Sequence, residues 1–111
     1  MISQGNLLQR KIQEVNKASD STLSFTVFQW NTMAACHSWP SKYPKVNPEY
    51  IEFEYRAPLL CKEIRSFSPD IACLEEVDYE NYDRFKSFFD ETEYSSVYAQ
   101  KSRSKEGECI F

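Results

Sequence analysis

Apolar residues alternate with polar ones along some stretches of this chain and recur at helical spacing along others. From position 23 to 30, Leu23, Phe25 and Val27 alternate with Ser24 and Thr26, while Phe28 and Trp30 add bulk to the other face. This predicts a first strand, and apolar character on both faces predicts a central place for it in a layered sheet. Leu60, Ile64 and Phe67 then form an i, i+4, i+7 stripe widened by Leu59. It predicts a helix over 52–66, its well-formed part starting near Ala57 with Pro58 in the first turn. Ser68-Pro69-Asp70 ends that helix. Positions 71–77 read as a second strand, 81–90 as a second helix, 94–100 as a third strand and 108–111 as a fourth. Tyr82, Phe85, Phe88 and Phe89 share one side of the second helix and read as core rather than as a platform for bases.

The order β-α-β-α-β-β marks an α/β fold with an incomplete sheet. A strand of apolar residues at the extreme C-terminus predicts a domain interrupted there. Residues 1–22 read as a lead-in, in which Leu8, Ile12 and Val15 allow a short amphipathic helix and 18–22 form a polar linker. Residues 23–111 read as the N-terminal portion of a domain truncated at its C-terminus. Between the first strand and helix, 32–50 is a long connection with Pro40, Pro44 and Pro48, the kind of loop that often carries function.

Bulk numbers narrow the chemistry. With 111 residues the chain suffices for one small domain, and a formal charge of −4 argues against nucleic-acid affinity through overall charge. A nuclease that offsets phosphate charge with metal ions is still compatible with it. No run approaches the ~18 apolar residues of a membrane span, and the N-terminus has no apolar signal region, so a cytoplasmic location is expected, with the nucleus as the alternative. Cys36, Cys61, Cys73 and Cys109 form no CxxC pair, and the chain has a single His. Zinc and a disulfide-linked partner are therefore not expected. With two glycines in the whole chain, neither a GxGxxG loop nor a Walker loop exists.

Two runs carry candidate chemistry: Phe28-Gln29-Trp30-Asn31 and Cys73-Leu74-Glu75-Glu76-Val77-Asp78. Each closes an apolar strand with an oxygen ligand suited to a hard cation, the amide of Asn31 and the carboxylate of Glu76. A strand–helix–strand unit with parallel strands brings both ends to one sheet edge. Mg²⁺ takes oxygen ligands, few of them from protein, and leaves room for substrate phosphate. A phosphate-processing site is the expectation. The plainer alternatives are an Asn that hydrogen-bonds its own turn and a carboxylate that fixes a neighbouring loop. Glu75 and Asp78 read as solvated or supporting groups. Arg56, a cation near a helix start where the macrodipole disfavours it, would either pair with an acid or face substrate phosphate. Lys101, Arg103 and Lys105 cluster on a turn that is either solvated or in contact with a nucleic-acid backbone.

These segments resemble the endonuclease/exonuclease/phosphatase superfamily. Positions 23–31 resemble its first-strand motif, which ends in W-N or Y-N, and 71–78 its L-Q-E-V motif. Phe53-Glu54-Tyr55-Arg56 is similar to the W-E-x-R of the CCR4-type deadenylase, nocturnin and angel group, and positions 105–111 to that group's D-G-C-A-I-F segment. The resemblance runs from about Phe25 to Phe111. It implies the opening half of a four-layered α/β sandwich, with Mg²⁺, or Mn²⁺ as the alternative ion. Glu76 would be the carboxylate ligand and Asn31 a direct or water-mediated one, both catalytic, and Arg56 would bind substrate. The implied activity is phosphoester hydrolysis, first as a 3′–5′ exoribonuclease of the poly(A) deadenylase kind. A phosphatase acting on a phosphorylated nucleotide of the NADP type is the alternative. A third reading is a non-catalytic product acting through protein contacts. Glu75 stands where the family has Gln, and Phe53 where it has Trp. The family's Asp-x-Asn and S-D-H segments have no counterpart before Phe111, and His37 matches no catalytic motif, so this chain alone is expected to be inactive.

Overall fold

The computed structural model describes residues 10–16, 23–89 and 93–111. Four strands form one sheet: β1 (Val27–Asn31), β2 (Ile71–Asp78), β3 (Val97–Gln100) and β4 (Glu106–Ile110). The order across the sheet is β1-β2-β4-β3. β1 and β2 are parallel, with Val27 opposite Ile71 and Asn31 opposite Glu75, while β4 runs antiparallel to both β2 and β3. A parallel pair needs a long crossover. It is supplied by single 3-10 turns at Ala35–His37 and Pro40–Lys42, the short helix α1 (Pro48–Ile51) and the helix α2 (Phe53–Ser66). A third helix, α3 (Tyr79–Phe88), follows β2 without a loop.

The core lies between α2, α3 and one face of the sheet. Leu60, Cys61 and Ile64 of α2 meet Phe85 and Phe89, and Ala72, Leu74, Val77, Cys109 and Phe111 complete the cluster. Phe28 and Trp30 pack against it from β1. The opposite face of the sheet exposes Val27, Ile71, Val97 and Ile110. The α/β class and the open, incomplete sheet agree with the order of elements expected from the sequence.

Several local expectations are corrected. β1 is at the edge of the sheet among the described residues, and its ladder starts only at Val27. The Asp70 carboxylate takes the Thr26 N–H at 2.7 Å, which closes the ladder upstream and leaves Leu23 and Phe25 exposed. α2 begins at Phe53, so Pro58 lies inside it. The Glu52 carbonyl starts that helix by accepting from Tyr55 and Arg56 N–H groups, and Phe53 packs edge-on against Phe85. α3 begins at Tyr79, whose N–H meets the Lys105 carbonyl at 2.9 Å. β4 begins at Glu106, because Glu106 and Gly107 pair with Asp78 and Val77. β3 is shorter than expected: Tyr94 instead packs on Phe89 and donates its hydroxyl to the Pro69 carbonyl. In the lead-in, residues 10–16 carry no helix, while Leu8, the linker over 18–22 and Asp90 lie outside the described residues.

Candidate metal centre

The local backbone at Glu76 departs from an ordinary strand. Leu74 faces Cys109 across the β2–β4 ladder and Val77 faces Gly107, with a register shift between them. Glu75 and Glu76 therefore oppose the single residue Glu108, which makes a bulge. Strict alternation would send Leu74 and Val77 to opposite faces. The extra residue keeps both in the core, each 1% exposed. Glu76 takes up the insertion with φ 54°, in the left-handed region. A bulky residue enters that region only when its surroundings hold it there.

Asn31 ends β1 directly opposite Glu75, the first of the two bulged residues. The two strand ends are joined by the loop that follows Asn31. The Thr32 N–H donates to the Glu75 carbonyl at 2.9 Å, and its hydroxyl to the Glu75 and Glu76 carbonyls at 3.1 and 3.2 Å. The next four backbone N–H groups then point in succession at side-chain oxygens. Met33 donates to Asn31 Oδ1 at 3.0 Å and Ala34 to Glu76 Oε2 at 3.4 Å. Ala35 donates to Asp78 Oδ2, and Cys36 to Asp78 Oδ1 at 3.1 Å. The loop thus brings Asn31 and Glu76 under one run of amides. Met33 is itself left-handed, with φ 57°.

Arg56 holds the same loop from behind. Its Nε donates to the Ile51 carbonyl at 3.1 Å, Nη1 to Thr32 O at 2.9 Å, and Nη2 to Met33 O at 2.8 Å and Ser38 Oγ at 3.2 Å. Burial lowers its pKa, and the charges of Asp78 and Tyr43 oppose that shift. The guanidinium meets carbonyls and a hydroxyl, and forms no ion pair among the described residues. Of the two roles read for Asp78 in the sequence, solvated or supporting, its contacts are those of a supporting group. It is 7% exposed and occupied by the loop. Beside it, burial and a hydrogen bond to Asp78 push the Cys36 thiol up to about 11. Glu75 is not a free charge either, since Gln29 donates to its carboxylate. Asp78 and Glu106 are the residues that sequence reasoning undervalued. A helix following a strand without a loop would have marked Asp78 as a helix-cap position. Glu106 is buried, with His37 Nε2 at 3.6 Å and Lys101 Nζ at 3.5 Å.

The donor set fits a hard divalent cation. Glu76 has one N–H neighbour and no ion pair among the described residues, so carboxylate lone pairs stay open. Asn31 Oδ1 accepts one hydrogen bond and keeps a second lone pair. No group of three or more His, Cys, Asp or Glu side chains converges among the described residues. Mg²⁺ is commonly held by one or two carboxylates with waters and phosphate. All four cysteines are free thiols. No helix among the described residues is long and apolar enough to cross a membrane.

No protein-family model matches the chain. It is 32% identical over 88 residues to the CCR4-Not complex 3′-5′-exoribonuclease subunit Ccr4 of Aspergillus clavatus, covering 78% of this chain and 13% of that protein. It is 34% identical over 80 residues to the RNA exonuclease NGL1 of Saccharomyces cerevisiae, covering 68% of this chain and 22% of the relative. The chain therefore spans a minor part of the relatives it matches. Among solved structures, ANGEL2, a 2′,3′-cyclic phosphatase, superposes with a TM-score of 0.66 at 22% identity over 78% of this chain and 26% of its own. The human nocturnin catalytic domain does so at 0.57 and 24% identity over 78% of this chain and 31% of its own. These two likenesses concern the fold. In sequence and fold together, the chain belongs to the endonuclease/exonuclease/phosphatase superfamily, in the group of CCR4-type exoribonucleases, angel and nocturnin, and corresponds to the N-terminal part of that domain.

Proposed function

We propose that this chain carries the cation-binding part of a Mg²⁺-dependent phosphoester hydrolase, acting first as a 3′–5′ exoribonuclease of the deadenylase kind. Glu76 is the carboxylate ligand and Asn31 the second oxygen donor, with Mn²⁺ able to replace Mg²⁺. The observation that carries this reading is the left-handed bulge at Glu76, whose carboxylate lies under the loop that also holds the Asn31 amide. Strain of this kind clusters where a side chain must be aimed. The similarity to RNA exonucleases supports the substrate class.

In this reading a bound cation supplies Lewis-acid polarisation and charge neutralisation at a phosphoryl oxygen. Glu76 contributes negative charge on the cation side. Asn31 offers Oδ1 with its orientation set by the Met33 N–H. Thr32, Arg56 and Asp78 hold the loop so that neither donor swings away. Arg56 acts on substrate only through that loop. No residue of this chain is assigned to activate water or protonate the leaving oxygen, and each such group is worth ~10²–10⁴ in rate. The chain alone is accordingly proposed to be catalytically incomplete and inactive, with a cytoplasmic location.

The test is Mg²⁺ titration of the chain, followed by the amide resonances of Met33 and Ala34. Saturable shifts at millimolar Mg²⁺ that vanish in Glu76→Gln are expected; unresponsive amides would overturn the ligand assignment. In parallel, the chain is incubated with poly(A) RNA and with a phosphorylated dinucleotide. Absence of turnover is expected, and turnover lost in Glu76→Gln would refute the incompleteness.

A further inference from the structure

Helix α2 carries a carboxylate where a core residue would be expected. Glu63 stands between Cys61 and Ile64 on the buried side of that helix, and its side chain is only 9% exposed. Burying a carboxylate without a partner is costly. Neighbours three or four positions away could neutralise it, but those places hold Leu59, Leu60, Ser66 and Phe67. The cation comes from the lead-in instead. Arg10 Nε lies 2.9 Å from Glu63 Oε1.

The same guanidinium lies over the Trp30 ring, 5.0 Å from its centroid. Other contacts fix that ring: it packs against the core and meets Phe28 edge-on at 5.9 Å. A carboxylate from α2 and an aromatic face from β1 thus converge on one planar cation. Arginine suits the pair better than lysine, because a guanidinium stacks on a ring and still donates hydrogen bonds in its own plane. The contact differs from an ordinary surface ion pair, which is worth little because both partners are solvated. Residues 11–16 are exposed and carry no helix, so Arg10 is where the stretch 10–16 is fastened.

We propose that Glu63 and Trp30 form a guanidinium-binding site that Arg10 fills in cis, fastening the lead-in to the domain. The ligand class is an arginine side chain, and the occupant is the chain's own Arg10. The clasp joins α2 to β1, which is at the edge of the sheet among the described residues. It closes one residue before Asn31. The folded unit accordingly includes Arg10, rather than starting at the first strand. The site is independent of the phosphoesterase reading, and its test contains no divalent cation.

The experiment uses the full chain carrying Trp39→Phe, which leaves Trp30 as its one tryptophan. The emission wavelength is followed in EDTA at constant ionic strength. Arg10→Ala should shift it to the red, as the ring face gains water. N-acetyl-arginine amide should reverse that shift saturably in the millimolar range, and N-acetyl-lysine amide should do so more weakly. With Arg10 in place, the arginine amide should leave the emission where it is, because the ring is covered either way. Adding Glu63→Gln to Arg10→Ala should weaken the arginine amide about tenfold or more, the worth of a hydrogen bond to a charged group. Arg10→Lys keeps the charge and guards against a folding defect. Its emission should lie between the other two and return to the parent position with arginine amide. Unchanged emission in both Arg10 variants would overturn the proposal. Equal reversal by the two amides, or an undiminished response with Glu63→Gln, would do the same.

Discussion

Asp78 caps a turn that begins at Ala35, on the far side of the site loop. Ala34, the N-cap residue of that 3-10 turn, has no side-chain oxygen to offer, and the turn lacks a side-chain cap of its own. Both carboxylate oxygens of Asp78 take its first N–H groups instead. An N-cap is worth ~0.5–2 kcal/mol, and two part-buried N–H groups left without these acceptors add to that. Asp78→Ala should therefore destabilise the fold by about 2–3 kcal/mol by the same two effects, read as a lower denaturant midpoint at unchanged slope. Asp78→Asn, which keeps one acceptor, should lose less. Equal losses for the two variants would show that the carboxylate does not act through these hydrogen bonds.

Stability and cation binding should move apart at Glu76. Holding a side chain in the left-handed region costs ~1–2 kcal/mol, and glycine there loses ~0.5–1 kcal/mol through its freer unfolded state. Glu76→Gly is expected to leave stability unchanged or raise it by up to about 1.5 kcal/mol on those terms, while abolishing the Mg²⁺ response. Glu76→Gln should be neutral to stability and equally silent to Mg²⁺. Thermal melts of the three proteins decide this; marked destabilisation by glycine would mean that the Glu76 side chain holds the bulge together.

Gly107 leaves no space for a side chain. A Cβ there would lie 2.2 Å from the Ala99 carbonyl oxygen, 2.8 Å from Gln100 Cα and 2.9 Å from Tyr98 Cζ. Two of those atoms are backbone of β3, so the strand pair itself must move. The Tyr98 hydroxyl, which donates to the Val77 carbonyl at 2.9 Å, would move with it. Gly107→Ala should cost about 1–3 kcal/mol, seen as a lower melting temperature. Wild-type stability in this variant would show that β3 is held less firmly than its ladder suggests.

The fold should weaken in alkali. Burial raises the Cys36, Cys61 and Cys109 thiols from the ordinary 9.0 to about 11, about 12 and about 12. Their stabilising contribution is present below pH 9, where unfolded and folded chains are both protonated. It is lost as pH rises through the folded-state values, because the unfolded chain releases its protons first. Unfolding midpoints should fall steadily between pH 9 and 11, and Cys61→Ser should shallow that fall.

The parts legible in the sequence were those set by residues near one another in the chain. Helix and strand order followed from apolar spacing, and the parallel β1–β2 pair followed from the helix between them. Asn31 and Glu76 could be singled out because each closes an apolar run. What remained hidden depends on distant partners. The bulge exists because β4 pairs with β2 on both sides of it, and nothing within 71–78 announces it. Arg56 looked like a cation set against a helix dipole, but its partners are carbonyls at Thr32 and Met33. Phe28 and Trp30 suggested a central strand, whereas their bulk is covered by core on one face only.

The open face of the sheet also governs how the molecule behaves in bulk. Val27, Ile71, Val97 and Ile110 form a water-exposed apolar surface across β1, β2, β4 and β3. Such surfaces attract one another. Excluded salts such as sulfate strengthen that attraction, while cooling weakens it. Concentrated preparations should scatter more light in sulfate than in chloride and clear on chilling. Magnesium titrations are therefore best made with dilute, cold protein in chloride, where attraction between these faces is weakest.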